Sequence, residues 1–505
     1  MFIAHKRPYT TTNSRHATSI NVLDDDSLIN IFRLYRPDLL DQEEINDIHI
    51  LQGGEWRRER WWYKLVHVCR RWRSLILASA SHLSLSLLCT LQTPVADMLA
   101  HSPPLPLVID YADKNRNLTP EDEEGIKLAL QHHDRVRRIR LAMFIPCLPK
   151  LIDAMDKEFL TLEHLYIDPL SYNDNGFVLP ETFRAPNLRH LVLLNFSVPV
   201  ASSLLATATG LITFSLNSIP ASVTWHPTDF LHQVSSLPHL QTLGISFYSV
   251  VPKHDVGRRV VNTPNVTHVI LPNLRWLGFQ GGSTYMEALL PGMTTPRLEK
   301  LQIYFSNELT ISVPNLQQFI SSVENLRFTS ANLGFVNSGV ELRAYPREGS
   351  RTYALLIRIL CLHYDWQVHS AAQMLGVLGP VFSTVVNLTL TYQEHTLSSE
   401  SHNEANHTQW LEVLRSFNNL EVLCVHEDLV KELSGSLQMH DGEPPMELLP
   451  ELKEVQYYDR IDIHDAFMPF LDARPNAGRP FQVTTLASHP TPVSGPIGPR
   501  LPRSS

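Results

Sequence analysis

Pro186-Asn187-Leu188-Arg189-His190-Leu191-Val192-Leu193 sets three leucines at i, i+3 and i+5 behind a proline. Proline lacks an amide hydrogen and fixes its own φ, so it ends what precedes it and starts an extended run. Leu191 and Leu193 alternate and therefore point to one side of a strand. The spacing recurs along the chain as Val136-Ile139-Leu141, Leu162-Leu165-Ile167, Leu211-Phe214-Leu216, Leu240-Leu243-Ile245, Leu274-Leu277-Phe279 and Leu298-Leu301-Ile303. Fainter copies follow at Val323-Leu326-Phe328, Ala354-Ile357-Ile359, Val385-Leu388-Leu390, Leu420-Leu423-Val425 and Leu452-Val455-Tyr457. First positions lie 23 to 35 residues apart. Pro238-His239-Leu240 and Pro272-Asn273-Leu274 repeat the entry phrase.

A period of this size with this pattern resembles a leucine-rich repeat. One unit cannot bury its apolar side alone, so units stack and a parallel sheet grows along the array. Thr228 to Ser236 and Trp366 to Leu378 carry helical spacing and are expected on the outer side. Eight residues past the first leucine, where the family has asparagine, stand Phe144, Leu170, Phe196, Ile219 and Tyr248. An apolar plug is expected there in place of an asparagine ladder.

Upstream, residues 20–83 carry two amphipathic helical patterns. In VLDDDSLINIFRLYRP, Asp24 to Asp26 offer an N-cap and an acidic first turn, Pro37 stops the helix, and Leu28, Ile31, Phe32 and Tyr35 share a face. RRERWWYKLVHVCRRWRSLILASA reads as one second helix: Trp62, Leu65, Val68, Cys69, Trp72 and Ile76 form a stripe, while Arg70, Arg71 and Arg73 point away. Arginines interleaved with tryptophans from Trp56 to Trp72 also suit stacking on single-stranded nucleic acid. The shared inward stripe favours core packing. Two short helices bury too little to stand alone and need the following chain or a partner.

Leu23, Leu28, Ile31-Phe32 and then Leu65-Val66-His67-Val68-Cys69-Arg70-Arg71-Trp72-Arg73 resemble the F-box. Asp24 stands where that family has proline, and residues 38–59 lengthen the box. The resemblance implies a substrate receptor of an SCF-type cullin-RING ubiquitin ligase: the box docks on a Skp adaptor, and through it a cullin, while the repeats hold an unknown target protein. Such a receptor breaks no bond; it raises the local concentration of target lysines. The matching apolar positions for the adaptor are Leu23, Leu28, Ile31, Phe32, Leu65, Val68 and Trp72, some of which must instead pack the helices together. Target contacts are expected between the apolar positions of the strands, at Arg189, His190, Gln241, Arg275, Trp276, Glu299 and Lys300. The alternatives are a repeat scaffold unconnected to ubiquitin, with the helices as a cap, and an enzyme with an unrecognised site.

The expected fold class is therefore α/β, with a short helical F-box-like element (20–83) leading into a curved, leucine-rich-repeat-like solenoid of short parallel strands and outer helices (84–473). Residues 1–19 are expected to be disordered. So is the tail 474–505, which holds seven prolines and four arginines without an acid. Leu83, Leu85 and Leu87, then Leu105 to Asp110, read as strands; Thr119 caps a helix with Pro120 at its first position.

Composition places the chain among folded soluble proteins rather than disordered ones. The 505 residues are 43% hydrophobic and 18% charged, with a net charge of −9, which argues against a whole-chain nucleic-acid binder. Cys69, Cys89, Cys147, Cys361 and Cys424 form no framework, and no signal-peptide or membrane-spanning run is found, so cytoplasm or nucleus is expected. The sequons at Asn195 and Asn265 are then chance matches. Catalytic and nucleotide-binding motifs are absent, and no cofactor or metal is expected. Cys361, His363 and Asp365 could form a nucleophile constellation, but they read as the end of an apolar strand. His132, His133 and Asp134 could ligate a metal, yet adjacent histidines on a helix face apart.

Overall fold

The computed structural model describes residues 23–36, 60–112, 118–144, 146–171, 176–199, 202–220, 225–248, 268–306, 311–336, 338–350, 352–361, 364–392, 407–426, 429, 433, 449–458 and 482–486. The segments 1–19 and 38–59, and the tail apart from 482–486, lie outside the described residues.

The first ten strands are β1 (Leu87–Cys89), β2 (Leu107–Tyr111), β3 (Val136–Met143), β4 (His164–Pro169), β5 (Phe177–Val178), β6 (His190–Leu194), β7 (Phe196–Ser197), β8 (Thr213–Ile219), β9 (Thr242–Phe247) and β10 (Val269–Ile270). Then come β11 (Trp276–Gly281), β12 (Met293–Thr294), β13 (Lys300–Ser306), β14 (Ser330–Val336), β15 (Gly339–Tyr345), β16 (Leu355–Leu360), β17 (Asn387–Tyr392), β18 (Val422–Val425), β19 (Glu454–Tyr458) and β20 (Gln482–Leu486). Among the described residues, β5–β7 and β10–β12 form small parallel pairs. The rest make one 16-stranded sheet in the order β1-β2-β3-β4-β6-β8-β9-β11-β13-β16-β15-β14-β17-β18-β19-β20, open at both ends. Every neighbouring pair is parallel except the two that involve β15. The protein is thus a mixed α/β structure built on a large, mainly parallel sheet.

Register explains why the repeated positions are apolar. Leu165 lies opposite Leu191, which faces Phe214; Leu243, Leu277 and Leu301 continue the row. Each of the repeated triplets is buried. Helices cover this face: Pro120–Gln131, Pro227–Ser235, Ser283–Leu289, Pro314–Ser322, Tyr364–Leu378 and His407–Arg415 among them. Phe230 lies 6.5 Å from Phe214, and Trp410 lies 5.5 Å from Phe335. Thr119 caps the helix Pro120–Gln131 in a capping box with Asp122, whose carboxylate accepts from the Thr119 amide. The opposite face is polar and half-buried, as Lys300, Gln302, Tyr304 and Ser306 show on β13.

Between β13 and β17 the spatial order reverses. The chain crosses from β13 through Pro314–Ser322 to β14, turns back as β15, and only then lays β16 beside β13. Because β15 alone runs antiparallel, β14 still meets β17 in parallel and the array continues. The return crosses three strand spacings, about 14 Å. Tyr364–Leu378 makes it, at 15 residues the longest described helix, or about 22 Å. The sequence reading put the eighth unit at Val323-Leu326-Phe328. The unit instead starts at Phe328: Ala331 pairs with Leu388 and Leu333 with Leu390. Both settings satisfy the same spacing, so periodicity alone could not choose. The hairpin itself was missed, although Val336 and Gly339 close a two-residue connection between alternating runs.

Two further expectations are corrected. The plug is partial, since Phe196 and Ile219 are buried while Phe144 and Tyr248 are exposed. Within the tail, Gln482–Leu486 is a strand paired in parallel with β19.

Gly339 sits at φ +156°, and a Cβ there would collide with the Ile359 carbonyl of the neighbouring strand. Gly349, at φ +72°, has nothing within 4 Å. Gly349→Ala should therefore cost only about 1 kcal/mol of backbone strain, and Gly339→Ala about 2 kcal/mol or more. Thermal unfolding of the two variants checks the order; equal losses would remove the hairpin from its place in the fold.

Candidate functional site

Among the described residues, three short helices stand at the β1 end of the sheet, α1 (Asp25–Tyr35), α2 (Tyr63–Val66) and α3 (Arg70–Ala78). Asp24 caps α1 by accepting the Ser27 amide at 2.6 Å, which holds its carboxyl below the ordinary range. The stretch read as one second helix breaks between Val66 and Arg70, where Cys69 is extended and caps α3 through its sulfur. The break decides the surface. It turns Val68 out to solvent and lets Arg73 donate to the Val66 carbonyl at 3.1 Å. Arg71 does not point away: it bonds Asp25 at 2.7 Å and the Leu23 carbonyl at 2.6 Å, tying α3 to the start of α1.

The structure sorts the candidate adaptor residues into two sets. Leu28, Phe32 and Leu65 are buried, and Trp72 is half-buried with its ring edge-on to Phe32 at 4.9 Å. Leu23, Ile31 and Val68 are exposed. The sequence reading missed Leu34, which is 87% exposed. Ile31, Leu34 and Tyr35 stand at i, i+3 and i+4 and share one side of α1. The signal was present, since α1 carries more apolar residues than one inward face can use.

The helices also pack against the start of β1. Trp62 donates its indole N–H to the Ser86 carbonyl at 3.3 Å, just before β1, and the Tyr63 ring packs at a tilt against Trp62, ring centres 4.4 Å apart. Trp61 and Trp62 are buried, so these rings are not available to stack on bases; Trp56 lies outside the described residues.

Of the expected target contacts, Arg189, Gln241, Arg275 and Glu299 are exposed along the rim where the strands begin, and Arg275 meets Glu299 at 3.8 Å. His190 and Lys300 lie on the polar face; the Lys300 ammonium sits 4.4 Å from the Tyr353 ring centre. Trp276 departs from expectation. It is buried, because its indole folds along its own strand over Gly278, where a Cβ would strike it, and reaches Gly244 on β9, where a Cβ would strike Ser215 instead.

The polar face is most elaborated at β3, β4 and β6. Arg138 lies opposite His164, and His164 opposite His190, whose rings stack at 4.4 Å and 16°. In the next row Arg140 lies opposite Tyr166, and its guanidinium is 3.6 Å from Asp110. The Tyr166 hydroxyl donates to Asp168 at 3.1 Å. Burial, then the nearby Arg138, pushes His164 down to about 2 and His190 to about 4.

The remaining candidates are not brought together. Cys361 is buried, its thiol directed at the Ile359 carbonyl; Asp365 belongs to the following helix rather than to the strand end, and His363 lies outside the described residues. His133 bonds the Glu158 carbonyl at 2.7 Å, while His132 ends its helix. Among the described residues no group of three or more His, Cys, Asp or Glu could hold a metal ion, and no helix is long and apolar enough to cross a membrane. No protein-family model matches the chain, and no curated protein matches it in sequence.

Phe32→Ala empties a core position and should cost about 3–5 kcal/mol, whereas Leu34→Ala should stay within about 0.5 kcal/mol. Thermal melts decide this; a stable Phe32→Ala protein would contradict the packing of α1 on α3. For the histidine pair the folded values lie below the ordinary 6.5. The unfolded chain therefore takes up protons that the folded chain refuses, so stability is full above about pH 6.5 and declines as pH falls toward the folded values. Between pH 6.5 and about 5, where most carboxylates stay charged, His164→Gln/His190→Gln should flatten the decline in urea midpoint seen for the parent. An unchanged slope would refute the assignment.

Proposed function

We propose that the chain is a substrate-recognition subunit of an SCF-type cullin-RING ubiquitin ligase, with α1 to α3 as an F-box-like element for a Skp adaptor and the strand array as a leucine-rich-repeat-like solenoid that holds a target protein. The observation that carries this reading is the exposure of Leu23, Ile31, Leu34, Tyr35 and Val68 on a helical element that is otherwise pinned to the sheet. Exposed leucine and isoleucine cost solvation free energy, and a partner that covers them recovers it. Phe32, Trp72 and Arg71 hold the element in one geometry, so little ordering entropy is lost on docking.

A scaffold unconnected to ubiquitin, with the helices as a cap, is favoured by the Trp62 contact to Ser86 and the covering of the β1 edge. A cap alone would leave no reason for apolar residues on the far side of α1. The two readings separate in one experiment with the full chain and a purified Skp-type adaptor. Binding is expected, and Leu34→Asp or Val68→Asp should weaken it at least about tenfold without moving the melting temperature. Phe32→Ala is unsuitable, since it would remove the fold along with the contact. A folded full chain that does not bind the adaptor would leave the scaffold reading in its place.

A further inference from the structure

The start of α3 runs against the physics of its own helix. A helix N-terminus carries partial positive charge and favours acidic residues, and α1 follows that rule with Asp25 and Asp26. α3 instead has Arg70, Arg71 and Arg73 among its first four residues and no acid in its first turn. Two of the three have an internal reason to be there: Arg71 holds Asp25, and Arg73 donates to the Val66 carbonyl. Arg70 is exposed and has no such contact among the described residues. It follows the extended Cys69 directly, and Val68, 58% exposed, stands on the other side of that cysteine.

The imbalance holds for the whole helical element. Residues 23–36 and 60–79 carry seven Lys and Arg against three Asp, a net +4 in a chain of −9. The three acids stand together at the start of α1, where Asp24 caps the helix and Asp25 takes Arg71. Arg33, Lys64 and Arg70 are exposed, and none of them meets a carboxylate among the described residues. Packing needs none of these three charges, and their mutual repulsion weakly opposes the fold. A partner that brings carboxylates around an apolar surface relieves the repulsion and covers Ile31, Leu34 and Val68 together. Single-stranded nucleic acid would supply the charge, but it needs free rings to stack on its bases, and Trp61 and Trp62 are buried.

We propose that the partner docked on the exposed side of α1 is a protein whose contact surface is apolar at its centre and acidic at its border, and that Arg33, Lys64 and Arg70 draw it in. The inference rests on the adaptor reading above and adds to it the sign of the partner's charge. Border charges act on encounter more than on residence, so association is salt-sensitive, while dissociation is set by the apolar contacts. Residues 38–59 of the same chain hold seven acids and two arginines and are the competing source of negative charge.

The test follows binding of the full chain to an immobilised, purified Skp-type adaptor by surface plasmon resonance, from about 50 to about 500 mM sodium chloride. The association rate should fall at least about tenfold over that range, and the dissociation rate should change less than about twofold. Arg70→Glu should slow association at low salt at least about threefold while the melting temperature holds or rises, because glutamate suits the start of α3. Arg347→Glu, the same reversal on an exposed residue beyond β15, should change neither rate. Amide replacement of Asp38, Asp41, Glu43, Glu44 and Asp47 should leave the salt dependence as it is. Binding that salt does not slow, or that Arg70→Glu does not slow, overturns the inference and leaves the adaptor reading standing. A salt dependence that emerges only in the amide variant assigns the cations to residues 38–59 and overturns it as well. Salt-insensitive adaptor binding together with capture of a single-stranded oligonucleotide that Arg70→Glu abolishes assigns the charge to nucleic acid instead. A folded chain that does not bind the adaptor at all overturns both.

Discussion

Leu165, Leu191, Phe214, Leu243, Leu277 and Leu301 lie opposite one another on six consecutive parallel strands, and no unit covers its own residue. A one-residue slip would send each of these side chains to the polar face and bring His190, Ser215 or Gln302 into the core. Register is thus fixed by burial, strand against strand. The same alternation produces both surfaces: one face packs against helices, and the other is left to polar residues free to serve another purpose. Gly278 leaves the room in which the Trp276 ring folds back along its own strand, and the ring reaches as far as Gly244 on β9.

Ends are the weakness of any open sheet, because an edge strand offers unpaired backbone groups to other chains. At the β1 end the helices answer this with Trp62, whose indole bonds the backbone ahead of β1 and whose ring supports Tyr63. Their own apolar residues exceed what that task uses. Leu28 and Phe32 suffice to join α1 to α3, and Ile31, Leu34 and Tyr35 are left outside. Burial therefore divides the helical element into residues that build it and residues that stay exposed, a division the amino-acid pattern alone does not draw.

What could be read in the sequence was what depends on spacing. The apolar triplets, the helix capped by Thr119 and the outer helices near 227–235 and 364–378 all follow from local periodicity and capping chemistry. What could not be read depended on three-dimensional choice. Two settings of the 3-2 spacing overlap at Phe328, and only pairing with β17 selects the second. The break at Cys69 sits inside an unbroken helical stripe, yet it reverses the fate of Val68 and Arg71. Trp276 looked solvent-facing because alternation assigns a face; it cannot say whether a large ring will fold back over a glycine. The stacked histidines were likewise invisible as a pair, since they lie 26 residues apart and meet only through register.

The inversion at β14 to β16 bears on how far these surfaces extend. Reversing three strands would end a parallel array if all three kept one direction, because the crossovers would have to pass one another. A single antiparallel strand removes the conflict: β14 and β16 both run with the rest, and each finds a parallel neighbour outside the inserted trio. The polar face continues through the insertion, where Glu341 meets Arg343 and Arg358. From β1 to β20 there are fifteen strand spacings, roughly 70 Å. The basic patch on β3 to β6 lies about 10–20 Å from the helical end, and the inversion lies far beyond it. The Arg138-His164-His190 row and the exposed side of α1 are therefore carried by the same part of the sheet, well apart from the inverted strands.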